Sequence, residues 1–238
     1  VGMDLARESA PDAMPLPKFR RLLETHPLTA RLFAAINAPL ADKGLLLREG
    51  TVVDATLIAT PSSTKNQDGQ RDPEMHQAKK GNQWHLGMKA HIVVDAASGR
   101  VHTLVTTPAN VHDVTQAHAL LHGDERDAFG DAGCQGVEKR EENLGKTVRW
   151  HVALRPGKRK VLPDTPAGRI AEKIEQCKAR IRAKVEHPFH YLKNRFGLKK
   201  VRYRGLSKNT ASLFALFALA NLCIAKRRFL ALDGQGAS

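Results

Sequence analysis

The sequence predicts a mixed α/β fold, in which helices pack on a mixed sheet. Three observations support this prediction. Residues 51–59 are rich in β-branched side chains, which is typical of a strand. Residues 84–95 and 101–107 are two strand-like runs around a turn at 96–99, which predicts a hairpin. Long stretches with helical spacing of apolar residues close the chain, and alternating elements of this kind form layered α and β structures.

The first part of the chain predicts helices before the sheet begins. Residues 18–26 and 28–42 read as two short helices that end at Gly44. Residues 61–80 are polar and basic without an apolar period, and we expect a loop there. This loop either contacts DNA backbone or is a solvated connection.

The later elements follow from the same patterns. Thr165 and Pro166 are a capping hydroxyl and a first-turn proline, and they predict the start of a long helix. In this helix apolar residues recur at helical spacing from residue 170 to residue 185. The other expected elements are a helix at 114–121, a strand at 127–131, a helix at 137–144, a strand at 148–154 and a last helix at 209–229.

The net charge restricts the class of partner. The chain carries 38 Lys and Arg against 24 Asp and Glu, a net charge of +14. Such a balance suits a polyanion, either nucleic acid or an anionic membrane. The most apolar run, residues 211–225, is shorter than the ~20 residues that span a bilayer, so we interpret it as a core helix. Three scattered cysteines indicate a reducing, cytoplasmic setting.

Three acidic residues occupy positions that suit a metal site. Asp54 lies within the first strand, Asp131 ends a later strand at a Gly-rich turn, and Glu186 lies in a basic helical region. A buried carboxylate is costly unless it is paired or binds a metal. Two Mg²⁺ ions about 3.5–4 Å apart need hard oxygen ligands of this kind. Taken singly, each acid is more readily interpreted as a capping or ion-paired carboxylate.

The basic residues concentrate around Glu186. From residue 139 to residue 204 there are 20 Lys and Arg against 6 Asp and Glu, and this excess of 14 equals the net charge of the whole chain. On a continuous helix Arg182, Glu186 and Lys193 would share one face, where the two cations could hold a DNA phosphate. Pro188 disfavours regular helix there and could introduce a kink. Further DNA contacts are expected at Lys199, Lys200, Arg202 and Arg204.

Several segments together resemble bacterial insertion-sequence transposases of the DDE type, in the group with a Tyr-Arg-Glu-Lys signature. The similarity covers roughly residues 18–230. It rests on the surroundings of Asp54 (Gly50-Thr-Val-Val-Asp-Ala-Thr), Asp131 (Phe-Gly-Asp-Ala-Gly) and Glu186 (Arg182-Ala-Lys-Val-Glu-His-Pro-Phe), and on shorter stretches such as Ala109-Asn-Val-His-Asp and Val201-Arg-Tyr-Arg-Gly. The chain departs from the group at Ala179, where the signature has Tyr, and at Cys134, where an aromatic is often found.

The resemblance implies an RNase H-like fold with a mixed five-stranded sheet flanked by helices. It implies that Asp54, Asp131 and Glu186 hold two Mg²⁺ or Mn²⁺ ions, and that Arg182 and Lys193 face DNA. It also implies cleavage of element ends by water and attack of the freed 3′-hydroxyl on target DNA. The expected partners are double-stranded element ends and target DNA, bound by a homodimer in the bacterial cytoplasm at the nucleoid, without a membrane.

The expected organisation has three parts. Residues 1–48 form an N-terminal helical segment, residues 49–230 the catalytic domain, and residues 231–238 a disordered tail. Only 53 residues precede Asp54. Members of the group usually carry a longer N-terminal region that recognises element ends, so we expect a truncated chain whose first segment is a remnant of that region.

Some residues and functions retain alternative interpretations. Trp84 stacks on a displaced base or belongs to the core. His112 and Asp113 form a dyad near the site or a structural pair. A non-mobilising DNA-binding remnant, or a nuclease that only hydrolyses DNA, would share much of this sequence pattern.

Overall fold

A six-stranded mixed sheet forms the centre of the computed structural model, which describes residues 14–47, 50–61, 63–65, 67 and 69–235. The strands are β1 (Gly50–Ala59), β2 (His76–Lys80), β3 (Gln83–Asp95), β4 (Val101–Pro108), β5 (Asp127–Gly130) and β6 (Arg149–Val152). The helices are α1 (Pro15–Thr25), α2 (Leu28–Asp42), α3 (Asp113–Leu120), α4 (Pro156–Lys160), α5 (Pro166–Arg182), α6 (Glu186–His190) and α7 (Leu206–Gln235).

One strand, β3, runs in the opposite direction to the other five. It pairs antiparallel with β1, β2 and β4, whereas β5 pairs parallel with β1 and β6 pairs parallel with β5. This mixed sheet with flanking helices is the predicted RNase H-like architecture. The five expected strands are present, and β2 is an additional one.

The prediction of a loop throughout residues 61–80 is wrong, because β2 pairs with the first part of β3. Gly81 adopts φ 60° in the turn, a conformation that glycine tolerates without strain. No residue of β2 is fully buried, so the strand lacks the alternating apolar pattern that predicts strands. Backbone pairing with β3 determines its conformation instead.

Another predicted element is also different. The predicted helix at residues 137–144 consists of two short 3-10 helices, Val137–Lys139 and Glu141–Asn143. Gly136 and Gly145, both with φ 82°, lie before and after them. The predicted tail is helical as far as Gln235, and residues 236–238 lie outside the described part.

The main core lies between the sheet and helices α2, α6 and α7. Phe33 of α2 lies 5.6 Å from Phe214 of α7 between ring centroids, so the N-terminal helices share the core with the last helix and the sheet. Residues 206–226 of α7 are long and apolar enough to span a membrane by length and composition alone. Leu213 and Phe217 are buried in this core, so this part of α7 packs as the core helix that the sequence predicts.

The capped helix α5 begins as predicted, since the Thr165 hydroxyl accepts a hydrogen bond from the backbone N–H of Gly168 (3.1 Å). Its apolar stripe, however, is only partly covered: Ile170 and Ile174 are 60% and 50% exposed. The buried side chain of this helix is Glu175, whose carboxylate accepts hydrogen bonds from Lys178 (2.7 Å) and the backbone N–H of Leu154 (2.9 Å). Pairing and hydrogen bonding offset the cost of burying this acid.

Candidate active site

Asp54 and Asp131 come from neighbouring parallel strands. The register pairs Val52 of β1 with Phe129 of β5, and each aspartate lies two residues further along its own strand direction. β5 ends at Gly130, whereas β1 continues to Ala59. β1 therefore has no β5 partner from Asp54 onward, and Asp131 lies where this unpaired edge begins.

The turn after β5 fixes the backbone around Asp131. The Asp131 carboxylate accepts a hydrogen bond from the backbone N–H of Gly133 (2.8 Å) and caps a 3-10 turn. Cys134 is buried, and a Cβ atom added at Gly130 would lie 2.8 Å from the Cys134 Cβ. Glycine at position 130 therefore permits the close packing of this turn. Burial raises the pKa of the Cys134 thiol to about 12, so it is no nucleophile at neutral pH.

Glu186 lies on a helical path that is not a uniform α-helix. After α5 the chain passes through a 3-10 turn, Ala183–Val185, then α6, then a π-helical turn, Tyr191–Arg195. Pro188 lies inside α6 and lacks the N–H that regular helix requires, which accounts for the irregularity. The backbone nevertheless remains right-handed helical at Val185 and Glu186, so the chain does not turn away from the sheet.

The three predicted carboxylates line one cleft of about 610 Å³. Three separate elements therefore bring Asp54, Asp131 and Glu186 to a common site. Cationic and polar side chains share the cleft walls with them, namely Thr56, Lys79, Lys80, Lys89, Asp113, His190, Lys193 and Asn194.

The negative charges of the three acids repel one another. Burial, together with the negative charges of Asp131 and Glu186, raises the pKa of Asp54 to about 6, although the hydrogen bond from the backbone N–H of Ala55 lowers it. That N–H donates to Oδ1 of Asp54 (2.7 Å). The positive charge of Arg182 also lowers this pKa, which places Arg182 near the site. A raised carboxylate pKa in a cleft is a feature of functional sites.

The donor set suits a hard divalent cation, because all three groups are carboxylates. A cation would also relieve the repulsion that raises the pKa of Asp54. In the described part of the chain no three His, Cys, Asp or Glu side chains converge on a single metal position. Two-ion sites distribute their ligands over ions about 3.5–4 Å apart, so convergence on one cleft is the more relevant test. Asp54, Asp131 and Glu186 meet this requirement.

Lys193 reaches the same cleft through a specific contact. Its Nζ atom lies 2.5 Å from Oγ1 of Thr56, a buried residue of β1. Burial and the nearby charge of Lys80 lower the pKa of Lys193, whereas Glu186 and Asp54 raise it. Lys193 therefore lines the cleft beside the acids, whereas Arg182 is not among the residues found to line it, and the helix between the two is irregular.

The other predicted DNA contacts lie outside the cleft. Lys199, Lys200, Arg202 and Arg204 are exposed, in a segment that passes the end of β1 with the Val201 N–H donating to the Ala59 carbonyl (2.8 Å). Arg202 donates to the Phe196 carbonyl (3.1 Å).

Trp84 is 65% exposed on β3, so its assignment to the core is wrong. It lies opposite Lys79 in the β2–β3 pair, and Lys79 lines the cleft. Its stacking on a base stays a prediction.

Sequence reasoning missed a charged group on the wall of the cleft. Lys89 donates to Oδ1 of Asp113 (2.9 Å) and to the backbone carbonyl of Val111 (2.7 Å). Oδ1 of Asp113 also lies 3.6 Å from Nδ1 of the buried His91. Burial lowers the pKa of His91 to about 4, and this histidine is neutral at neutral pH. Asp113 therefore pairs with a lysine, not with the predicted partner His112.

Lys79 and Lys80 also line the cleft. Sequence reasoning assigned them to a loop that either contacts DNA backbone or is solvated, and it did not place them beside the carboxylates. The signal was present in the sequence, since Gly81-Asn82 between two polar runs is a dipeptide typical of tight hairpin turns. A second hairpin would have placed both lysines beside the first strand of the site.

Comparison with known protein families gives an independent result. The family model described as "Transposase DDE domain" matches residues 46–222, which include all three carboxylates. No solved structure matches the chain. The family match covers most of the chain and every strand of the sheet. The chain therefore belongs to the family of DDE-domain transposases.

Proposed function

We propose that this transposase cuts DNA at the ends of a mobile element and joins the freed ends to target DNA, with Asp54, Asp131 and Glu186 as its catalytic residues. The observation that carries the proposal is their common position. Three acids from β1, the end of β5 and the start of α6 line one cleft. The family match over residues 46–222 supports the same assignment.

The proposed reaction has two steps at phosphorus. In the first, water attacks the phosphodiester, a new P–O bond forms, the bond to the 3′-oxygen breaks, and that oxygen leaves as a 3′-hydroxyl. In the second, this hydroxyl attacks a target phosphodiester and displaces another 3′-oxygen, so the number of phosphodiester bonds is conserved. Two Mg²⁺ or Mn²⁺ ions, held by the three carboxylates, would activate the entering oxygen and stabilise the leaving one.

The cationic walls of the cleft would orient the DNA. Lys193, which contacts Thr56, and Lys79 and Lys80 of the β2–β3 hairpin line the cleft with the carboxylates and would contact backbone phosphates there. Arg182 is near enough to influence the charge of Asp54. Such contacts position a substrate without reading its sequence. The exposed segment 199–204 and Trp84 would extend this surface beyond the cleft.

A plasmid-nicking assay tests the proposal. Purified protein is incubated with supercoiled plasmid and Mg²⁺ or Mn²⁺, beside Asp54→Ala and Glu186→Ala. Asp164→Ala is the matched control, because Asp164 is an exposed acid paired with Arg169 on the surface (2.7 Å). We expect nicking by the wild type and the control and its loss in both site variants. Nicking that survives in both site variants would refute the carboxylate assignment.

A strand-transfer assay then separates transposition from simple hydrolysis. A precut DNA end with a free 3′-hydroxyl is supplied with a target plasmid, and joined products are sought on a gel. Joined products support the transposase reaction, whereas nicks alone would indicate a nuclease. Salt-sensitive DNA binding without either reaction would indicate a remnant that no longer mobilises DNA. Because two element ends react together, we expect a homodimer on DNA, which the mass of the complex in solution tests.

A further inference from the structure

A second cavity of about 440 Å³ lies beside the proposed active site. His190 lines both the cleft and this cavity, so residues 186–195 form a wall between them. Lys193 faces the cleft, and Arg195, two residues later on the helical path, faces the cavity. The side chains around the cavity are those of Ala97, Ser98, Arg100, His187, His190, Tyr191, Arg195 and Ile224.

The opposite wall of the cavity is the turn between β3 and β4, which Lys184 holds against the helix by hydrogen bonds. Nζ of Lys184 donates to the backbone carbonyls of Ala96 (2.5 Å) and Ala97 (3.0 Å). Gly99 has φ 71°, and a Cβ atom added there would lie 3.2 Å from the Lys184 carbonyl. Glycine thus allows the turn to approach the helix closely. The cavity therefore lies between this turn and the helical path that begins with Lys184, and these two parts of the chain are in direct contact.

The chemistry of the cavity favours an anion. No residue found to line it is acidic, and six of them have side chains with donor groups: Ser98, Arg100, His187, His190, Tyr191 and Arg195. The Ser98 hydroxyl donates to the Asp95 carboxylate, and the buried Arg100 donates to the Leu45 carbonyl. The donors best placed for an anion are therefore His187, His190, Tyr191 and Arg195. The nearby carboxylate of Asp95 is buried and accepts hydrogen bonds from the N–H groups of Ala97 and Ser98, so its charge is directed into its own turn.

Arg195 supplies the most accessible charge. It is exposed and forms no ion pair with any described residue. Arg195 lies in the π-helical turn, a form of backbone that is rare and frequently occurs at functional sites. A guanidinium next to histidine and hydroxyl donors matches the geometry of a phosphate.

We propose that this cavity binds a backbone phosphate of the DNA strand that continues from the active-site cleft past His190. The inference rests on the proposed function, since it takes the ligand to be the DNA substrate. It extends that function to a phosphodiester subsite with Arg195 as its main contact. The DNA strand would then be held by the cleft on one side of the helix that carries Glu186 and by this subsite on the other.

The test measures DNA binding and does not depend on cleavage. The dissociation constant for a fluorescent duplex of fixed sequence is measured by anisotropy at several NaCl concentrations, without divalent ions. We expect Arg195→Ala to weaken binding about 3- to 10-fold and to lower the salt slope by about 1, as for the loss of one phosphate contact. Arg195→Lys, which keeps the charge, should recover most of the salt slope.

The matched control is Lys158→Ala, which removes an exposed charge on α4, outside both cavities. We expect its salt slope to equal that of the wild type. The proposal is overturned if Arg195→Ala binds DNA with the affinity and slope of the wild type, or if Lys158→Ala lowers the slope equally. Failure of plasmid nicking in the wild type would instead contradict the proposed function and would leave this binding result standing.

Discussion

Asp54 and Asp131 lie side by side on parallel strands, each two residues beyond the paired residues Val52 and Phe129. β5 ends at Gly130, one residue before Asp131. Both aspartates therefore face the cleft, and no strand separates their negative charges. This relationship concentrates negative charge at one edge of the sheet. The consequences can be measured as changes in stability, metal binding and activity.

The first prediction concerns stability in the absence of metal. Asp54 has a pKa of about 6 in the folded chain against an ordinary value of 3.8. Its contribution to stability is therefore complete below pH 3.8 and is lost as the pH rises through 6. Asp54→Asn removes this loss, and at pH 7.5 it should raise the free energy of unfolding by at most about 3 kcal/mol. Urea unfolding with a chelator at pH 7.5 and pH 4 measures the effect.

The difference between Asp54→Asn and the wild type should nearly disappear at pH 4. Comparing the two proteins cancels the titration of the other acids. A stability advantage of the same size at both pH values would contradict the raised pKa, since it would indicate an uncharged packing effect.

The second prediction concerns the cation. If the three acids hold divalent ions, Mn²⁺ should raise the melting temperature of the wild type, because a ligand that binds the folded state stabilises it. The rise should be larger at pH 8 than at pH 5.5, where a proton competes for Asp54. Glu186→Gln should abolish most of the shift, as thermal unfolding at matched Mn²⁺ concentrations would report. Equal shifts in the wild type and this variant would place the bound ion elsewhere.

The third prediction concerns the anchoring of Lys193. Thr56→Val keeps the shape of the buried side chain and removes the hydroxyl that lies 2.5 Å from Nζ. The ammonium group then loses its fixed position, and displacement of a positioning group by about 1 Å can cost up to ~100-fold in rate. We expect nicking to slow by about 10- to 100-fold while the salt slope of DNA binding stays unchanged, because the charge remains. A normal nicking rate would show that Thr56 does not position Lys193 for the reaction.

The fourth prediction concerns a polar network in the core. Asn221 of α7 donates to Oδ1 of Asn37 (2.8 Å) and to the carbonyl of Val101 (2.6 Å), and it accepts from the Val101 N–H (2.8 Å). Asn221→Ala removes these hydrogen bonds from the Val101 N–H and from Oδ1 of Asn37, while the Val101 carbonyl keeps the Asn37 amide as a donor (3.1 Å). We expect this to destabilise the protein by about 2–4 kcal/mol. Urea unfolding measures this cost.

The control for the network is the next residue of α7. Leu222 is 43% exposed, and Leu222→Ala should change stability by only about 0.5 kcal/mol. Similar losses in both variants would mean that a general effect of side-chain truncation on α7, and not the buried hydrogen bonds, accounts for the result.

The sequence by itself determined the elements with strong local signals. The β-branched run of β1, the Gly-rich turn after Asp131 and the capped start of α5 appear where they were expected. The three acids could be identified because their local segments resemble those of a known family. Local propensity and motif spacing depend on neighbouring residues, so a single sequence contains them.

Only the tertiary structure decided which side chains meet. The Gly81-Asn82 turn indicates the β2–β3 hairpin, but only the pairing of β3 with β1 brings Lys79 and Lys80 of this hairpin to the cleft. α5 buries Glu175 and leaves Ile174 half exposed, because the backbone N–H of Leu154, outside this helix, satisfies the acid together with Lys178 of α5. Long-range pairing and burial depend on residues far apart in the chain, and a local pattern does not specify them.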